Sequence, residues 1–285
     1  MVLHILALIA VALYGLASIG YVRRFLLRSL PVGYQADAVL SHKSIYSSRL
    51  LLNGILVHAL FLIGVFSMAP SGAGLQIRFP LMLSILSLTV LVIFQVMEKA
   101  KGWSVLGAFV APIGTLLMVF SGLIFHRLNS AETLPEGDIY FYLHLIFSIA
   151  ADVLLIGAGV VGLALILQEK RLKRKIVTDT RSGMPSLVVL DLCNRGLTLI
   201  GFLAMVFGAA WGIAFANSRN IPLSFGDIRL LSILVAILFY GGVTAAMFIA
   251  GTRGRRAAWA STLGLFVLLI SLFIGGFAQG GLHGH

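Results

Sequence analysis

The stretch "DIYFYLHLIFSIAADVLLIGAGVVG", Asp138 to Gly162, decides the fold. Its apolar run continues through "LALILQ" to Gln168, longer than the roughly 20 residues that a helix needs to cross the hydrocarbon core. It has no period-two alternation, so it does not read as a strand of an outer-membrane barrel. His144, Ser148 and Asp152 recur at every fourth residue and so share one helical face. An unpaired ionisable group at the centre of an inserted helix costs at least ~2.5 kcal/mol. Two of them on one stripe need a chemical or packing reason.

Working outward, seven more apolar runs of spanning length accompany this one. The eight lie at about 2–22, 50–69, 79–97, 103–125, 139–168, 196–216, 228–250 and 257–278. The chain is 59% hydrophobic and 11% charged, whereas soluble domains carry about 25% charged residues. The expected fold is all-α: a polytopic protein of eight transmembrane helices forming one integral membrane domain over residues 1–285.

The formal charge of +11 reads as topology rather than nucleic-acid binding. The segments after helices one, three, five and seven hold 17 of the 21 Lys and Arg residues. The positive-inside rule sets those segments in the cytoplasm and both termini outside. "QEKRLKRK" (Gln168–Lys175) directly follows a span and serves as an anchor. The first run has no basic residue before it and no small-residue cleavage site, so it reads as a retained helix. Segment 23–49 has room for a short interfacial helix. Cys193, the one cysteine, excludes an internal disulfide and CxxC chemistry; packing is its expected role.

"GAGVVG" (Gly157–Gly162) matches the GxGxxG dinucleotide fingerprint. That fingerprint has meaning only between a strand and the opening of a helix, and here it lies deep in one apolar run, where glycines serve helix packing. His144, Ser148 and Asp152 do not make a catalytic triad either, because one straight helix displays them as a ladder. With a rise of ~1.5 Å per residue, His144 sits about one and a half turns below the outer surface. His283 follows the outer end of helix eight, and His58 is immersed in helix two. A histidine in such a place is either a packed hydrogen-bonding group or a ligand. Neutral imidazole suits haem iron, and two histidines from different helices would clamp it from both faces. Zinc would require three or four ligands. Arg219 and Arg229, after helix six, suit propionate pairing or ordinary interfacial anchoring.

Three segments together resemble the integral-membrane cytochrome c assembly family of the CcsA and HemX type: "YLHLIFSIAADVLL", "LVVLDLCNRGLTLIGFLAMVFGAAWGIAFA" and "TRGRRAAWASTLGLFVLLISLFIGGFAQGGLHGH". The likeness runs from about Tyr140 to His285, with a weaker extension over "LLNGILVHALFLIG" in helix two. It implies a protein that binds or delivers haem, of the b type, at the outer face. His144 and His283 fall on the family's histidines and would approach the iron axially, while His58 matches its helix-two histidine. Arg195, Gly201 and Phe202 match its pattern at helix six. The family's tryptophan-rich motif, WGxxWxWDPxE, is replaced here by "WGIAFANSRNIPLSFGDIRLL", and Asp152 stands where relatives more often have Tyr. The HemX-like branch is therefore the nearer one. It implies an accessory haem-handling role rather than catalysis.

The expected partners are the lipid bilayer, haem, and other cytochrome-assembly or haem-biosynthesis membrane proteins, with no nucleic acid. The expected location is the bacterial inner membrane. Two other readings use the same residues: a transporter with a polar path through His58, His144 and Asp152, and a regulatory or structural subunit with a degenerate haem site. The inner half of helix five, "VLLIGAGVVGLALIL", contributes nothing polar to such a path.

Overall fold

The computed structural model describes residues 2–27, 37–67, 79–125, 138–173, 185–222 and 227–281. The long helices are α1 (Val2–Leu27), α2 (Asp37–Ser67), α3 (Phe79–Lys101), α4 (Gly107–Phe125), α5 (Ile139–Lys173), α6 (Leu187–Ser218), α7 (Ile228–Phe248) and α8 (Arg255–Gly281). A short 3-10 turn, Ser104–Leu106, precedes α4, and there is no strand among the described residues. All eight helices are long and apolar enough to cross a membrane. The all-α, multi-pass membrane fold expected from the apolar runs is the one the chain adopts.

Two helices begin ahead of their apolar runs. α2 starts at Asp37, so residues 37–49 continue the spanning helix instead of forming a separate interfacial one. α6 starts at Leu187 because Ser186, with extended backbone, accepts from the Val189 N–H at 3.4 Å. This caps one of the donors left open at a helix start. Large apolar side chains such as Leu8, Leu60, Ile146, Leu192 and Leu238 point outward. They would be a liability in water and are the ordinary dress of a helix in lipid.

The helices pack as two compact units, α1–α4 and α5–α8. In the first, α1 packs along α2 and α4, and α3 along α4 and α2. The contacts are close where glycines lie: Gly54 faces the Tyr14 ring and Gly114 faces Leu91. Tyr21 donates to Glu98 at 2.6 Å, joining α1 to α3, and Glu98 is 8% exposed. A charge-assisted bond of this kind satisfies a carboxylate that burial would otherwise penalise. α3 ends where Gly102 turns to φ +69° and its N–H returns to the Glu98 carbonyl at 2.8 Å. A left-handed residue at a helix end is an ordinary role of glycine.

In the second unit, α7 packs along α8 and α6, with Val243, Met247 and Ala257 at its core. The glycines of "GAGVVG" meet neighbouring helices. A Cβ on Gly159 would strike Leu265, and one on Gly162 would come 2.8 Å from the Ala258 carbonyl oxygen and 3.1 Å from Asn194 Nδ2. That motif is a packing device, as its position within a span implied. Asn194 Nδ2 donates to the Ala158 carbonyl at 2.8 Å, and the Ser261 hydroxyl donates to Asn194 Oδ1 at 3.1 Å. This hydrogen-bonded layer ties α5, α6 and α8 together. At the end of α7, the Arg195 guanidinium lies 3.5 Å from the Met247 carbonyl oxygen and 5.0 Å from the centre of the Phe248 ring. Gly254 N–H donates to Asp191 at 2.8 Å. Arg195 thus serves the turn between α7 and α8.

Candidate functional site

His144 is set by a match between two helices. Its Nδ1 lies 2.8 Å from the Gly208 carbonyl oxygen of α6. A carbonyl oxygen only accepts, so Nδ1 carries the proton and donates, and Nε2 keeps its lone pair. No hydrogen bond reaches Nε2 among the described residues. A Cβ on Gly212 would stand 2.9 Å from Nδ1 and 3.1 Å from Cε1. The imidazole therefore occupies space that only glycine leaves. Gly208 is likewise flush with Ser148: a Cβ there would be 3.0 Å from Oγ and 3.2 Å from the backbone nitrogen. His144 and Ser148 on α5 are thus in register with Gly212 and Gly208 on α6, each pair four residues apart. The Ser148 hydroxyl lies 3.5 Å from His144 Nδ1, at the limit of hydrogen bonding.

Aromatic side chains surround this position. Tyr140 stacks on Trp211 with centroids 5.9 Å apart and planes inclined by 24°. Phe141 lies against Phe215 at 5.5 Å, and Phe147 against Phe207 at 5.7 Å. Arg219 closes the end of α6. Its Nε is 3.3 Å from Asp138 Oδ2, a carboxylate that also accepts from Ser218. The Arg219 side chain is 42% exposed, so this pair adds at most about 1 kcal/mol of stability, and the guanidinium stays accessible to another anion.

His144, Ser148 and Arg219 therefore gather at one end of the second unit. Asp152 follows one turn further along α5 and is half-buried. His283 lies outside the described residues, and so does the side chain of Arg229, whose backbone opens α7. His58 belongs to the first unit. It is fully buried, with Nδ1 3.0 Å from the Tyr14 hydroxyl and Nε2 2.7 Å from the Ser84 hydroxyl. Both ring nitrogens are engaged. No group of three His, Cys, Asp or Glu with metal-binding geometry occurs among the described residues.

Sequence reading alone missed the glycine pair that seats His144. The only local signal was the dipeptide Trp211-Gly212, one helical turn beyond Gly208. It also missed the buried polar groups on α6, α7 and α8: Asn194, Thr198, Tyr240, Thr244, Ser261 and Thr262. Each is a common residue in a long apolar run, and none stands out until the helices are assembled.

Among known proteins, the family model described as Cytochrome C assembly protein matches residues 76–283, from just before α3 to just past α8. No curated protein and no solved structure matches the chain.

Proposed function

From the premise that this chain belongs to the cytochrome c assembly protein family, we propose that it holds haem at the outer end of α5–α8 and hands it on during cytochrome maturation or haem supply. The family and the eight apolar helices make it a multi-pass membrane protein concerned with haem in cytochrome c biogenesis. The finer reading rests above all on His144. A ring whose Nδ1–H is held by the Gly208 carbonyl presents an unprotonated Nε2. Orienting a histidine through its other nitrogen is the arrangement iron-ligating histidines need.

The surroundings fit the same cofactor. Tyr140 and Trp211 offer flat apolar faces, and Arg219 offers a partly exposed guanidinium suited to a propionate. His283 would be the second residue to hold the iron, on the strength of the family resemblance, and Arg229, at the opening of α7, a second propionate partner. Haem of the b type, held without covalent attachment, would supply a redox-active iron to a recipient. The residues named here bind it, orient it and limit water around it. His58, with both nitrogens bonded to Tyr14 and Ser84, would have to surrender a buried hydrogen bond to bind iron, so its proposed role is to hold α1, α2 and α3 together.

The loop after α6 lacks the tryptophan-rich motif, which favours the HemX-like branch and an accessory role over a complete synthetase. The Lys and Arg distribution supports both termini facing outward from a bacterial inner membrane, with other assembly proteins as partners.

The test is the absorption spectrum and pyridine haemochrome of the detergent-purified chain, with and without added haem. The expected result is b-type haem that is lost or spectrally shifted in His144→Ala and in His283→Ala. Haem that survives both substitutions with an unchanged spectrum would sink the assignment, as would failure of the supplemented chain to take up haem.

A further inference from the structure

We propose that Asp138 is a positioning residue that sets Arg219 to receive a ligand carboxylate, so that this end of α5 and α6 selects a planar macrocycle with free propionates over an esterified one. The juxtaposition comes from two helix ends. Asp138 precedes α5, and its Oδ1 accepts the Tyr140 N–H at 2.9 Å, which satisfies one of the donors left open at a helix start. Arg219 closes α6. Beyond it, Asn220 turns to φ +52° and the Ile221 N–H returns to the Ala216 carbonyl at 2.9 Å. That left-handed closure fixes where the Arg219 side chain begins. Each charge also lies at the helix end whose dipole favours it.

The two partners are unequally exposed. The Asp138 side chain is 10% exposed and the Arg219 side chain 42%, so the carboxylate is the fixed partner and the guanidinium faces outward. Their contact runs from Arg219 Nε to Asp138 Oδ2 at 3.3 Å. A guanidinium carries its five N–H donors in one rigid plane. Holding it by Nε orients that plane and leaves the Nη edge for a second carboxylate, which fits two parallel N–H groups. The same Asp138 carboxylate anchors the backbone of Tyr140, whose ring stacks on Trp211 with centroids 5.9 Å apart. Asp138 thus links the flat aromatic face to the cation, and a planar ligand with carboxylates on its edge uses both.

Asp138→Asn separates the two tasks of this side chain. Asparagine caps a helix as well as aspartate does, with its amide oxygen on the Tyr140 N–H. The other end of the side chain is then an NH2 group, a donor set against the donor Nε–H of Arg219. The guanidinium loses its anchor while α5 keeps its start. An ion pair this exposed contributes little to folding, so the variant chain should fold as the wild type does. This role of Asp138 rests on haem being the ligand of α5–α8, as proposed above.

The test is titration of the detergent-purified full chain with haem and with haem dimethyl ester, whose propionates cannot pair with arginine. It compares the wild type, Asp138→Asn, Arg219→Gln and the double variant. The wild type should bind haem about 5–10-fold more tightly than the ester. Each single variant should lose most of that preference, with ester affinity and the spectrum of bound haem unchanged. The double variant should lose no more than Arg219→Gln alone, because Asp138 acts through Arg219. Damage to the fold would weaken both forms together and leave their ratio intact. That result in Asp138→Asn, or a double variant that loses the sum of the two effects, overturns the positioning role. A wild type that binds both forms equally, with a spectrum still altered by His144→Ala, overturns this inference alone and leaves haem binding standing. A chain that takes up neither form overturns both.

Discussion

Replacing Gly212 by alanine places a Cβ 2.9 Å from His144 Nδ1 and 3.1 Å from its Cε1, closer than side chains pack. The neighbour that must move is a ring already fixed by its bond to the Gly208 carbonyl. Overpacking of this kind typically costs about 1–3 kcal/mol, while alanine in a helix recovers about 0.5–1 kcal/mol relative to glycine. The net stability change is therefore between about zero and a loss of about 2.5 kcal/mol, measured as denaturation of the purified chain in detergent. The effect on haem should be larger in proportion. Disturbing the group that orients a metal-binding histidine costs about 10–100-fold in affinity, equivalent to about 1.4–2.7 kcal/mol. Spectrophotometric haem titration of Gly212→Ala would read this directly. Gly196→Ala is the control on the same helix, because a Cβ there meets nothing within 4 Å; it should gain about 0.5–1 kcal/mol and bind haem normally. Wild-type haem affinity in Gly212→Ala would show that the His144 ring position has nothing to do with the ligand.

His58→Ala opens a cavity and orphans the Tyr14 and Ser84 hydroxyls, so denaturation should show a loss of about 2–5 kcal/mol. The haem spectrum of the folded fraction should be unchanged; a lost haem band there would make His58 a ligand. Tyr21→Phe removes the 2.6 Å bond to the buried Glu98 and should cost about 1.5–3 kcal/mol, measured by thermal unfolding, whereas an unaffected midpoint would mean that Glu98 finds another donor. Asn194→Ala breaks the layer joining α5, α6 and α8. Interhelical bonds in membranes are individually modest, so about 1–2 kcal/mol is expected, seen as faster proteolysis of α5–α8 than of α1–α4. Arg219→Ala should change stability by less than about 1 kcal/mol while weakening haem binding in a salt-dependent way, and equal haem affinity at low and high salt would exclude a propionate contact.

The sequence by itself determined the environment and the number of spans. Eight apolar runs with few charges leave the backbone nowhere to satisfy its hydrogen bonds except within helices, and the four-residue spacing of His144, Ser148 and Asp152 puts them on one face however the bundle assembles. It also revealed that "GAGVVG" lay inside a span and so was no cofactor loop. Only the tertiary structure decided what those faces meet. His58 and His144 look alike as immersed histidines, yet one has both nitrogens bonded and the other has one held and one open. That difference comes from Tyr14, Ser84 and Gly208, which lie 44, 26 and 64 residues away in the chain. The same holds for the inner polar groups. Thr198 and Ser261 are unremarkable letters in two separate apolar runs, and they come to lie 3.4 Å apart, both buried, only because α6 and α8 pack together. Hydropathy measures how a residue partitions between water and lipid, and carries no information about which helix it will face.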